Sequence, residues 1–162
     1  MLIFVEGPDG SGKSTLIKQL SEKYITARVP KTAETAQVWD EFQAIDGDLK
    51  IVFDRSPLTE IIYRSVYGPK SSFSLEDCLG WLRGNKIVFC DTDSAYDDAQ
   101  RRGEDNVTSK VHHETLRLRY QCLADILKQS GFDVYHYDWH LQDLYEVIDF
   151  IRGGKRNEST AV

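Results

Sequence analysis

No stretch of this 162-residue chain approaches the roughly 20 consecutive apolar residues that a membrane-spanning helix needs. Cysteines are few. Cys78, Cys90 and Cys122 lie far apart with no CxxC or zinc-type spacing, which excludes a disulfide scaffold and a structural zinc site. Cys90 falls in an apolar run and Cys122 in a helical pattern, so both are expected as small buried hydrophobes, and a reduced, cytoplasmic setting is expected with them. The opening apolar run stops at Glu6, too soon for the core of a signal peptide. Basic residues are also short: 20 Lys and Arg against 26 Asp and Glu leave a net charge of -6, which disfavours coating of nucleic acid by bulk electrostatics while leaving room for a local basic groove. No repeat or linker divides the chain. One domain is expected over residues 1–152, with a disordered tail over 153–162.

What is present alternates short apolar runs with longer amphipathic segments, the pattern of an α/β protein with a mostly parallel sheet. Strands are predicted at 2–5, 25–29, 50–53, 86–90 and 133–137. The strongest of them are continuous rather than alternating, as expected when both faces of a sheet are covered. Helices are predicted at 14–24, 34–45, 58–67, 74–83, 109–129 and 141–152, with a turn at 46–48. Pro57 suits a first helical turn, Ser74 with Asp77 forms a capping box, and Gly131 stands just past a helix end.

The segment Gly7-Pro8-Asp9-Gly10-Ser11-Gly12-Lys13-Ser14 fits G-x-x-x-x-G-K-[ST], and it lies between a predicted strand and a predicted helix, as the mechanism requires. Glycines let the backbone wrap with its N–H groups inward, making an anion nest at a helix N-terminus. Lys13 would reach the β- and γ-phosphates of ATP, and the Ser14 hydroxyl would bind Mg²⁺. A bland turn gains nothing from a lysine and a hydroxyl at these two offsets.

A second motif must tell a switch from a kinase. Asn85-Lys86-Ile87-Val88 lacks the aspartate of the guanine-reading N-K-x-D, and Asp77-Cys78-Leu79-Gly80 falls inside an amphipathic helix, so neither supports a GTPase. Asp54-Arg55-Ser56 follows a predicted strand directly, at the carboxyl end where open parallel sheets bind ligands. Asp54 there can hold Mg²⁺ or accept a proton, and Arg55 offers a planar fork for phosphate; the competing reading is a surface ion pair. Asp91 ends another strand as a third candidate Mg²⁺ ligand. The polar stretch after it, about 92–108, carries Asp93, Arg101 and Arg102, with Arg119 beyond, and reads as a lid that closes over ATP and excludes water; a solvated charged loop is the plainer alternative.

These residues resemble the thymidylate kinase family of P-loop kinases. The run from Phe4 through Thr15 is similar to that family's first strand and loop, Asp54-Arg55 to its Asp-Arg pair, and Tyr63 to the tyrosine of the following helix. The resemblance implies a three-layer α/β/α fold around a five-stranded parallel sheet, with ATP and Mg²⁺ as cofactors. It also implies that the loop from Gly7 to Thr15 holds the nucleotide. Gly10 matches the subclass that draws catalytic arginines from the lid, which would make Arg101 and Arg102 catalytic alongside Lys13, Asp54 and Arg55. Asp9, Arg55 and Tyr63 would contact the acceptor. Residues 29–34 lack the family's Arg-Glu-Pro segment, and Arg64 stands where a glutamine is usual, so Arg64 joins the acceptor candidates.

The function expected is transfer of the γ-phosphoryl of ATP to a thymidine-type deoxynucleotide. The alternatives are a kinase of 5-hydroxymethyl-deoxyuridine in DNA, as in small phage enzymes of this kind, and an ATP-binding module without transfer activity. A homodimer is open. His136 and His140 are expected as a surface pair, and His112 and His113, being adjacent on a helix, face different ways. Trp39, Trp81 and Trp139 are open between core and rim. Tyr67 and Phe73 are open between core and base stacking.

Overall fold

The computed structural model describes residues 1–28, 39–41, 44, 48–68, 73–103 and 109–153. Five strands, β1 (Leu2–Glu6), β2 (Ile25–Arg28), β3 (Ile51–Asp54), β4 (Lys86–Cys90) and β5 (Asp133–Tyr137), form one sheet in the order β2-β3-β1-β4-β5, every pairing parallel. Parallel neighbours need crossovers, and among the described residues six helices with both ends defined supply or follow them: α1 (Lys13–Leu20), α2 (Pro57–Tyr67), α3 (Leu75–Leu82), α4 (Ala95–Arg101), α5 (Lys110–Gln129) and α6 (Leu144–Arg152).

Side chains alternate across the sheet and both faces are buried, which is why the strand sequences run apolar without a break. Leu2, Phe4, Ile51, Phe53, Ile87, Phe89 and Val134 face one core, closed by α2, α3 and α5. Ile3, Val5, Val52, Val88 and Cys90 face the other, closed by α1 and α6. The result is the expected three-layer α/β/α fold. Because the chain crosses β1 on its way from β3 to β4, the carboxyl ends of β3, β1 and β4 lie side by side, and the crevice they share is where an open sheet of this kind takes ligands.

Several local readings need correction. The last helix begins at Leu144 rather than 141, because the Asp143 side chain caps it with Glu146 completing a capping box, while 138–142 form a turn on Asp138. The polar stretch after β4 is not all loop: Ala95–Arg101 is helix α4. Cys122 is exposed, unlike Cys78 and Cys90. The buried stripe of α5 is His113, Leu116, Tyr120, Ala124 and Leu127, which leaves Val111, Leu118 and Cys122 on the opposite face. Trp39 is core. Most of the predicted helix 34–45, part of the turn 46–48, the 29–34 segment, the lid residues 104–108 and the tail beyond Gly153 lie outside the described residues.

Candidate active site

The site is built on the end of β1. Glu6, the last strand residue, is fully buried, and burial pushes its carboxyl up despite the bonds it accepts. Its Oε1 accepts from the Ser56 amide at 2.6 Å and from the Ser56 hydroxyl, and its Oε2 accepts from Thr59 Oγ1 at 2.7 Å. One carboxylate thereby ties the root of the phosphate loop to the start of α2, which Ser56 also caps by accepting from the Leu58 amide. Sequence reasoning passed over Glu6; its only signal was a charged residue ending an apolar run.

The loop from Gly7 to Gly12 turns through left-handed backbone at Gly10 (φ 80°) and Gly12 (φ 90°). A Cβ on Gly10 would stand 1.9 Å from the Ala95 carbonyl oxygen, so the loop packs directly on the start of α4 and no side chain fits there. A Cβ on Gly12 would meet the Trp139 ring at 2.7 Å. Gly12 is the N-cap of α1 and brings no side-chain cap, which leaves the first-turn amides to a ligand. Ser14 and Thr15 are exposed on that turn. The Lys13 ammonium folds back inside the loop, donating to the Pro8 carbonyl at 2.6 Å, and with only 6% of the residue exposed its burial, with the Arg55 charge beside it, pushes it down to about 8.

Asp54 closes β3 opposite Val5 and lies 3.6 Å from Arg28 on the neighbouring strand. Arg55 follows with φ 77°, a left-handed conformation that costs a non-glycine residue roughly 1–2 kcal/mol, and strain of this kind concentrates at functional sites. Its amide donates to the Val5 carbonyl at 3.0 Å, and its Nη2 donates to Asp9 Oδ1 at 2.9 Å. The guanidinium lies over the Tyr63 ring, 5.3 Å from its centre, and the Tyr63 hydroxyl donates to Asp9 Oδ2 at 3.3 Å. Burial works against the charges of Asp9 and Arg55, yet each supports the other: the Asp9 carboxyl stays below the usual range with Lys13 and Arg55 beside it, and Arg55 stays fully protonated.

Two further groups, to which the sequence reading gave no role in the site, converge here. His113 of α5, 2% exposed, donates through Nε2 to the Asp9 carbonyl at 2.8 Å and sets its ring edge-on to Tyr96 of α4, 5.6 Å between centres. Trp139, beyond β5, lies against Gly12 and stacks on His140, which in turn meets Ser94 Oγ at 3.0 Å. His140 therefore faces α4, away from any pairing with His136. Ser11 Oγ, Arg55 Nη1 and His113 Nδ1 are buried without a hydrogen-bond partner, and all three belong to the phosphate loop or to the groups that grip Asp9. Buried polar atoms are rarely left so, and a ligand that accepts and donates hydrogen bonds would satisfy them.

The remaining sequence candidates are placed differently. Asp91 spends both oxygens on α5: Arg117 Nε donates to Oδ1 at 2.7 Å, Arg117 Nη2 to Oδ2 at 3.3 Å, and Gln121 Nε2 to Oδ2 at 2.5 Å. That pair anchors the segment after β4, and it argues against Asp91 as a metal ligand, since a metal would have to displace a forked arginine. Arg101 turns onto Asp98 of its own helix at 2.6 Å, Arg102 is exposed at the helix end, and Arg64 pairs with Glu60 one turn back. Among the described residues no group of three or more His, Cys, Asp and Glu is placed to hold a metal, and no helix is long and apolar enough to cross a membrane.

A strand, a glycine-wrapped loop with a buried lysine and an uncapped helix, set at the head of an all-parallel five-stranded sheet, define the P-loop nucleotide-binding fold. Comparison with solved structures finds the same fold in proteins that include a deoxyadenosine kinase. The YorR protein of Bacillus subtilis, solved in complex with phosphorylated GDP, matches with a TM-score of 0.71 at 18% identity over 94% of each chain. Deoxyadenosine kinase of M. mycoides matches with a TM-score of 0.65 at 18% identity in its dCTP-bound structure, over 94% of this chain and 100% of that one. Its dATP-bound structure matches with a TM-score of 0.60 at 17% identity, over 94% and 99%. No family model and no curated protein matches the chain.

Proposed function

We propose that the chain is an ATP-dependent phosphotransferase that moves the γ-phosphoryl group of ATP to a thymidine-type deoxynucleotide. The observation that carries the transfer chemistry is Arg55: a half-buried guanidinium on a left-handed backbone, with one terminal nitrogen committed to Asp9 and the other buried without a partner, close to the ammonium of Lys13. Binding alone needs no second buried cation, whereas a phosphoryl group in flight needs cations on both its sides. The uncapped N-terminus of α1 and Lys13 would hold the donor phosphates. Arg55 would hold the acceptor oxygen or its phosphate, and Asp9 would fix the orientation of Arg55.

The exposed Ser14 hydroxyl and the Asp54 carboxylate at the mouth of the crevice fit Mg²⁺, which takes few protein ligands beside phosphate oxygens and water. When bound, the ion would offset the charge of the triphosphate. Trp139 offers a ring face beside the α1 N-terminus, suited to the adenine of the donor. The segment around α4, with Arg101 and Arg102, serves as the lid in this reading.

A second acceptor is favoured by one observation. Arg55 is already matched in charge by Asp9, which suits a neutral hydroxyl better than a dianionic phosphate. The deoxyadenosine kinase of similar fold bears the name of such an acceptor. The test of both is one assay: labelled ATP and Mg²⁺ are offered with deoxynucleosides, deoxynucleoside monophosphates and 5-hydroxymethyluracil DNA. Label in a nucleotide or in DNA supports transfer and names the acceptor; label only in free phosphate refutes the kinase reading.

A further inference from the structure

We propose that Tyr67 and His112 form the platform on which the acceptor's nucleobase is received; this rests on the kinase reading and names the residues that hold the acceptor's base. The argument begins at Arg55. From its guanidinium a row of rings leads outward: Tyr63 at 5.3 Å, then Tyr67 at 6.1 Å from Tyr63 and tilted 36°, then His112 at 5.4 Å from Tyr67 and nearly perpendicular at 83°. The row begins half-buried beside Asp9 and ends at the surface, with 43% of Tyr67 accessible. An acceptor whose reactive oxygen meets Arg55 and Asp9 therefore has an aromatic surface laid out along its length.

The two outer rings come from separate elements that the site itself fixes. Tyr67 is the last residue of α2, whose first turn is tied to Glu6 through Ser56 and Thr59. His112 belongs to the first turn of α5, and its neighbour His113 bonds the Asp9 carbonyl. Both rings are thus held at fixed reach from Asp9. The Tyr67 hydroxyl is pushed up by burial and by the Asp9 charge, which puts it within electrostatic range of the loop. Neither ring is needed to close a core: Leu58 and Ile62 pack α2, and Leu116 and Tyr120 pack α5. An accessible ring face stacks on any base, and contacts of this type sustain roughly 5- to 150-fold in affinity.

The test is steady-state kinetics on Tyr67→Ala, Tyr67→Phe and His112→Ala, with whichever deoxynucleoside, monophosphate or oligonucleotide the wild type accepts. Tyr67→Ala should raise the acceptor KM about tenfold, with kcat and the KM for ATP within about twofold. Tyr67→Phe should stay near wild type, and His112→Ala should fall between. An unchanged acceptor KM in Tyr67→Ala, or a KM for ATP that rises in step, overturns the platform and leaves the kinase reading standing. A wild type that transfers label to no acceptor overturns both.

Discussion

Lys13 sits in the folded protein as an ammonium that water can barely reach, and this makes a measurable statement about stability. Burial brings it from an ordinary value of 10.5 down to about 8. Between those two values the unfolded chain holds a proton on Lys13 that the folded chain has lost, so stability must rise with pH across the window and be flat in this contribution below it. The difference between those two values corresponds to about 3 kcal/mol. The comparison is wild type against Lys13→Met, by urea unfolding from pH 7 to pH 10.5. Methionine also forfeits the bond to the Pro8 carbonyl, an offset of about 1–3 kcal/mol that does not vary with pH. Tyrosines and thiols that titrate in the same range are common to both proteins and cancel in the difference. The wild type should therefore gain on the variant by about 3 kcal/mol over the window. Phosphate binding should recharge the amine, so ATP uptake at pH 8.5 should draw about three-quarters of a proton, seen as a dependence of binding heat on the buffer's ionisation enthalpy. A stability difference that stays constant with pH would refute the buried-ammonium argument, whatever the catalytic outcome.

Other perturbations separate the parts of the site. Arg55→Lys keeps the charge but loses the fork, and should lower kcat/KM for the acceptor about 30-fold, equal to about 2 kcal/mol, with little change in melting temperature; a pure loss of stability would instead make Arg55 a structural ion pair. Gly10→Ala should destabilise the fold by at least about 2 kcal/mol by calorimetry, because the methyl meets the Ala95 carbonyl and the backbone is left-handed. Trp139→Ala should raise the KM for ATP about tenfold and leave the acceptor KM alone. Replacing Arg101 and Arg102 together by alanine should lower kcat more than ATP affinity; unchanged turnover would remove the lid role.

How much of this was legible follows from how far apart in sequence the partners stand. The loop is local: its letters, the strand before it and the helix after it fall within 20 residues, and the unbroken apolar runs declared a sheet covered on both sides. Asp54-Arg55 was legible because a strand end is a fixed address in a parallel sheet. His113, Trp139 and Glu6 were not, since each acts across 50 to more than 100 residues, and nothing in its own neighbourhood marks it. The pairing of Asp91 was hidden for the same reason: its position at a strand end resembles that of Asp54, but its partner, Arg117, stands 26 residues on. The exposed face of α5 misled differently, because Val111, Leu118 and Cys122 recur at helical spacing as regularly as the residues that are buried.

Gly10 shows how a sequence reading acquires a cause. From the letters alone it only matched a subclass in which no arginine rides on the phosphate loop. In the structure its missing Cβ is the contact by which the loop touches Ala95, so the loop is shaped to the helix that carries Arg101 at its far end. A side chain at Gly10 would push α4 away from the phosphates, and with it the arginines proposed to close on them. The same contact that forbids a cation on the loop places α4 against it. His113 then braces α4 through Tyr96 while bonding Asp9, so loop, α4 and α5 meet at one residue. Arg101, resting on Asp98, has only to exchange one anion for another when a triphosphate arrives, an exchange favoured by the greater charge of the phosphate. In the function proposed above, closing of α4 over the nucleotide would then be a competition between Asp98 and the triphosphate for one guanidinium.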